Sequence, residues 1–257
     1  MLRVPESRAA EMDLYLKKKE GQFSSAHSPY AFIPLRTFCA PEEIATMKSA
    51  LVDDPLYAST AALRKQGALL DAWFDDPECA QIEMIQSPAM FPGAGATEPG
   101  KKYQTLVSCS MHPLSRGRVH LQSPDPLAAP AIDPAYLAHP IDLRVLVRAA
   151  QFARTAARTA PLADTVVRMV EPGPEVQSDA EWEAYVRRKL SPVWHPVGTA
   201  AMLPREDGGV VDPRLVVYGT RNLRIVDASI LPFELSCHIQ TTVYALAEKA
   251  ADLIKGV

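Results

Sequence analysis

The sequence predicts an α+β fold, a mostly antiparallel sheet with helices on one face, closed by a C-terminal strand and helix. Three observations lead there. Apolar residues recur at helical spacing in four separated stretches, around 41–51, 60–74, 143–153 and 239–253. Between 81 and 122, three strand-like runs follow one another with no helical stretch between them, so the sheet is not built from alternating strand and helix. Proline-rich stretches then punctuate the chain and separate the remaining helices.

Composition excludes several classes of function. A net charge of −3 without a basic cluster gives no footprint for nucleic acid. No apolar run approaches the about 18 residues of a membrane span, and the opening Met1 to Arg8 carries no apolar signal segment. The expected location is cytoplasmic by default. Cys39, Cys79, Cys109 and Cys237 are widely spaced, with no CxxC and no Cys/His cluster, so no metal site is expected and buried thiols are.

Taken in order, Glu11 to Glu20 is a charged stretch leading to the more apolar Tyr30 to Leu35, as if entering a domain from elsewhere. Pro41, with Glu42 and Glu43 in its first turn, starts a helix whose Ile44, Met47 and Leu51 share one face. A second helix spans Thr60 to about Phe74, with Leu63, Leu69, Leu70 and Trp73 suited to a sheet. Gln81 to Ile85 reads as a strand in which Ile85 breaks the alternation of Ile82 and Met84. The glycines at 93 and 95 do not make a dinucleotide loop, because residue 98 is Glu98 and prolines follow where a helix should open.

Tyr103 to Ser110 and Arg118 to Gln122 are the next strands, and the stretch from Asp125 to Pro140 is extended, interrupted by Pro126, Pro130 and Pro134. Leu143, Leu146, Val147, Ala150 and Ala153 form a helical stripe, with Arg144 and Arg148 expected to face solvent. Ser178 and Glu181 make a capping box for a helix running to about Leu190.

The last segment carries the chemistry. His195 lies in Trp-His-Pro-Val-Gly-Thr, where Pro196 biases it towards extended geometry and Gly198 permits close backbone approach. Leu215 to Tyr218 and Asn222 to Asp227 read as short strands, the second ending in a carboxylate and followed by the small Ala228 and Ser229. His238 stands just before a helix with Val243, Leu246, Ala247, Ala250 and Leu253 on one face, and the free amides of that helix start favour an anion. Alone, His195 could be a buried structural histidine, Asp227 a turn cap, and Thr241 or Ser236 an ordinary helix cap. His27, His112, His120 and His139 have surface or structural contexts, and Trp194 is expected to pack beside the site.

Trp194 to Thr199, Gly209 to Pro213, Leu223 to Ser229, and His238 ahead of an amphipathic helix together resemble the carboxyl-terminal signature of the glucose-methanol-choline (GMC) oxidoreductases. The likeness is strong from about Leu106 onward and weaker before. It implies FAD as cofactor and a small-molecule alcohol as substrate. His195 would be the base that takes the hydroxyl proton, and His238 would hold the same oxygen from the other side. Asp227 and Ala228 would run beside the cofactor, and the backbone of Ile239, Gln240 and Thr241 would approach the flavin pyrimidine.

On this reading, residues 1–79 are an N-terminal segment and helical cap region, 80–190 a substrate-binding domain, and 191–257 the part that completes the flavin domain. The family's Gly-x-Gly-x-x-Gly and its acidic ribose partner are not in this sequence, so a separate flavin-binding half or chain is expected. A redox-inactive relative working as cyclase or dehydratase, and a truncated non-catalytic remnant, are the alternatives.

Overall fold

The computed structural model describes residues 5–21, 23–24, 29–91 and 97–256. The 93/95 glycine pair and His27 lie outside the described residues. The chain runs α1 (Pro5–Lys18), β1 (Tyr30–Ile33), α2 (Pro41–Val52), α3 (Pro55–Ala58), α4 (Ala61–Asp75), β2 (Ile82–Ser87) and β3 (Thr105–Ser110). It continues through β4 (Arg118–His120), β5 (Ala131–Asp133), α5 (Pro140–Ala157), α6 (Asp179–Lys189) and α7 (Gln240–Lys255). Antiparallel sheets and packed helices make an α+β fold, as expected.

Local chemistry sets the helix starts. Asp54 Oδ1 accepts from the Leu56 amide, Thr60 Oγ1 from the Leu63 amide, and the His139 ring from the Ile141 amide, with Pro140 in the first turn of α5. Ser178 and Glu181 form the full reciprocal capping box at α6. The charged stretch from Glu11 to Glu20, for which no element was expected, falls largely within α1, and the apolar Tyr30 to Leu35 contains the strand Tyr30–Ile33. Its four residues are too few for a period of 2 to stand out, and pairing with β2 is what extends them.

β2 is the central strand of a three-stranded antiparallel sheet, with β1 on one side and β3 on the other; β4 and β5 pair separately. The helix-side face of the sheet contributes Ile33 and Ile82 to the main core, which also takes Leu35, Leu51, Leu70, Leu114 and Ile141. α4 packs chiefly on α2 and α3 rather than on a sheet, so Leu70 is buried while Leu69 is exposed. A second cluster joins α5 to α6 around Val147 and Trp182, and the Arg154 guanidinium lies 4.2 Å over the Trp182 ring.

Two polar devices, the first of them buried, tie the layers together. Asp142, at the start of α5, accepts from the amides of Leu114 (2.7 Å) and Ser115 (2.8 Å) and from the Ser115 hydroxyl (2.5 Å). Arg144 and Arg148 do not face solvent freely: both bind Glu43 of α2 and Asp179 of α6, so they bridge three helices. Helical spacing placed them off the apolar stripe but could not see the acids that two other elements bring to that flank.

The C-terminal part, from about residue 191, is held differently. Leu215–Tyr218 and Asn222–Asp227 make single bridges, Val211 to Val217 and Val216 to Arg224, instead of the two expected strands. Leu215 and Asn222 have positive φ values of 66° and 59°, which turns each run out of the extended region. Val211, Leu215, Ile230 and Ala250 form its small buried cluster, with Leu246 and Leu253 of α7 packed against it.

Candidate active site

Two loops and one strand bring the site together. The 195–202 loop is pinned to the turn after Asp227 by the Ala200 amide on the Ser229 carbonyl (2.9 Å) and the Met202 amide on that of Ile230 (2.8 Å). Gly198 has φ +86°, and a Cβ there would lie 3.5 Å from the Leu231 carbonyl oxygen, so the left-handed turn rather than crowding calls for glycine. The 231–239 segment crosses the same region and delivers His238 one residue before the Ile239 cap of α7.

The structure places the rings of His195 and His238 edge to face with centroids 5.4 Å apart. His195 is half-buried, and burial first and the neighbouring His238 second lower its pKa below the ordinary imidazole value, with Glu83 acting in the opposite direction. It is therefore neutral near pH 7 and able to accept a proton. His238 is more open, its side chain 46% exposed, yet its Nε2 lies 2.7 Å from Oε1 of Glu83, whose side chain is 5% exposed.

Glu83 is the neighbour of the histidine pair that sequence reasoning missed. It sits in the middle of β2, in register with Phe32 of β1 and Cys109 of β3. Side chains alternate across a strand, so Ile82 and Met84 face one way and Glu83 and Ile85 the other. Ile85 breaks the amphipathic alternation because the second face of the sheet looks onto the histidines instead of water. The signal was present: a single carboxylate inside an otherwise apolar run needs a partner if it is buried. Tyr30 also reaches His238, edge to face at 5.3 Å, from the neighbouring strand.

The remaining expected residues take simpler places. Asp227 Oδ1 accepts from the Ser229 amide at 2.8 Å, capping the short turn of Ala228 to Ile230. Ile239 is buried, and Gln240 and Thr241 open α7 exposed, with no side-chain cap and no acidic residue in the first turn. Neither Thr241 nor Ser236 caps this helix, so its first amides have no partner within it. Trp194 does not pack beside the site in this chain; it is 76% exposed at φ 58°. His112 and His139 are buried and His120 is exposed. Of the thiols expected to be buried, Cys39 and Cys109 are, whereas Cys79 is half-buried and Cys237 exposed, since it lies on the open loop beside His238. Among the described residues, no group of His, Cys, Asp or Glu has the geometry of a metal site.

Comparison with known proteins decides the family. The GMC oxidoreductase family model matches residues 113–247, more than half of the chain. The chain belongs to the GMC oxidoreductase family. A GMC oxidoreductase family protein of Malassezia sympodialis, Mala s 12, is 48% identical over 152 residues, 59% of this chain and 25% of that protein. An FAD-dependent oxidoreductase from Chaetomium thermophilum superposes with a TM-score of 0.80 at 28% identity, over 99% of this chain and 43% of that one. A fungal aryl-alcohol oxidase does so with a TM-score of 0.78 at 28% identity, over 98% and 43%. This chain thus spans well under half the length of these relatives. GMC oxidoreductases bind FAD, and no helix among the described residues is long and apolar enough to cross a membrane.

Proposed function

We propose that this chain is the substrate-facing, carboxyl-terminal half of an FAD-dependent enzyme that oxidises the CH–OH group of a small alcohol. The observation that carries the proposal is the pair of imidazoles at 5.4 Å, one of them bonded to a buried carboxylate. An alcohol losing a hydride must also lose its hydroxyl proton, and a neutral imidazole within reach of that oxygen is suited to take it. His195, its pKa lowered by burial, is that base. His238 has Nε2 committed to Glu83, so one ring nitrogen remains to hold the substrate oxygen while the carboxylate fixes the plane of the ring. Tyr30 and Phe32, both exposed and on the same face of the sheet as Glu83, favour a substrate with an apolar body beside the carbinol.

The residues fit one end of the cofactor. The uncapped amides at the start of α7, from Ile239 through Gln240 to Thr241, suit the electron-rich edge of a flavin ring, and Asp227 and Ala228 lie on the turn expected to run beside the chain that carries it. FAD bound there supplies the two-electron acceptor for the carbinol C–H. The glycine-rich phosphate cradle is not among these residues, and the relatives are more than twice as long. An amino-terminal flavin-binding half, covalently continuous or separate, is therefore the proposed partner.

The test is single-turnover bleaching of the flavin by an alcohol, in the chain completed by an amino-terminal half from a GMC relative. His195→Ala is expected to slow bleaching by about 10²- to 10⁴-fold, and His238→Ala by less, with FAD still bound. Bleaching by His195→Ala at the parent's rate would remove the proposed base and favour a cyclase or a non-catalytic remnant.

A further inference from the structure

His112 and Ser236 stand 124 residues apart in sequence and meet at 2.7 Å, Nε2 to Oγ. His112 follows β3 and is buried, against Trp73 of α4 at a ring centroid distance of 4.5 Å. Trp73 in turn meets Phe233 edge to face at 5.7 Å. Ser236 also serves as a hydrogen-bond partner of the Cys79 thiol. The contacts of His112, Trp73 and Cys79 with Ser236 and Phe233 fall on the segment 233–236, which otherwise has no ladder and no capped helix to hold it and which leads to His238.

We propose that His112 and Ser236 form a latch that positions the 233–238 segment, and so sets the His238 ring against Glu83 and Tyr30. The inference rests on the reading of His238 as the residue that holds the substrate oxygen. A Ser–His pair could also be read as a nucleophile and its base, but the surroundings argue otherwise. Burial pulls the His112 imidazole down to about 4, with a hydrogen bond from the ring to the Glu234 backbone carbonyl offsetting part of this. Such a ring is too weak a base to take a hydroxyl proton near neutral pH, but it remains a permanent acceptor. One ring nitrogen is thus free to receive the Ser236 hydroxyl, and the bond holds across the neutral range. His112 and Ser236 are positioning residues that act through the loop.

The test uses the 257-residue chain and needs no flavin, so its outcome is separate from that of the kinetic test above. Amide hydrogen exchange of residues 233–239 and the proton cross-peak between the Tyr30 and His238 rings are measured in the parent, in Ser236→Ala and in His112→Gln. In Ser236→Ala, protection of this segment is expected to fall about 3- to 10-fold, the worth of one hydrogen bond, and the cross-peak to weaken, with α5 and β2 protected as before. His112→Gln, which keeps a donor and an acceptor, should recover part of both. Unchanged exchange and cross-peak in Ser236→Ala would overturn the latch, and so would a loss of protection spread evenly through the chain. If the latch holds while His195→Ala and His238→Ala prove kinetically silent, the positioning stands and the catalytic reading falls.

Discussion

The larger part of the chain, which carries most of the helices, and the part from residue 191, which carries His195 and His238, are stabilised by different means. Around α2, α4, α5 and β2, Leu35, Leu51, Leu70, Ile82 and Leu114 are each at most 2% exposed, and every helix start from α3 to α6 has a side-chain cap. From residue 191 on, the cluster of Val211, Leu215, Ile230 and Ala250 is small, the strand pairing is reduced to single bridges, and α7 begins without a cap. Trp194, Leu223, Tyr244 and Ile254 are more than half exposed there. The first region can hold a carboxylate such as Glu83 buried and in place; the second leaves histidines and amides open to a ligand. Dense packing and an open, sparsely tied candidate site thus belong to different parts of the chain.

This contrast can be broken most directly in the packed region. Leu70→Ala removes a fully buried side chain from the main core and is expected to cost about 2–5 kcal/mol, read as a lowered midpoint in denaturant unfolding. A loss below about 1 kcal/mol would mean that this core is no better packed than the C-terminal one.

A second effect comes from the seam between the regions. His112 falls from 6.5 to about 4, so its contribution is full above about 6.5 and lost as pH drops through about 4. Glu234 rises from 4.5 to about 7 through burial, with Arg116 opposing, so its contribution is full below about 4.5 and lost as pH rises through about 7. Between about 4.5 and 6.5 the two slopes oppose each other. His112→Gln should leave a stability that declines towards neutral pH, and Glu234→Gln one that declines towards acid, each by up to about 3 kcal/mol relative to the parent. Unfolding curves across that pH range check this; parallel profiles for the three proteins would show that neither group is buried as described.

The smallest effect sharpens the comparison from the other side. Tyr244 is 67% exposed on α7, and Tyr244→Ser should change the stability of this chain by less than about 0.5 kcal/mol. A larger loss by thermal unfolding would show that the outer face of α7 is already covered.

Much of the fold was legible because its causes are local. Apolar spacing and caps place α2, α4, α6 and α7 within a residue or two, the stripe from Leu143 to Ala153 falls inside the longer α5, and the capping box at Ser178 and Glu181 is a four-residue signal. The two strands expected between 215 and 227 failed for an equally local reason that the pattern hides: apolar character does not report a positive φ, and Leu215 and Asn222 both have one. β1 lacked the length to announce itself, and it is pairing with β2 that makes it a strand.

For the site, the sequence by itself determined the two histidine loops, the helix start beside them and the family signature, since these are runs of neighbouring residues whose chemistry reads in order. Only the tertiary structure decided who stands next to whom. Glu83 meets His238 across 155 residues, His112 meets Ser236 across 124, and Arg144 finds Glu43 across 101. Each partner looks unremarkable in its own stretch: a carboxylate in a strand, a histidine before a proline, an arginine on a helix flank. Periodicity says which way a side chain points along its own element, but burial and pairing depend on what another element brings to that face, and that is set only when the sheet, the helices and the C-terminal loops pack.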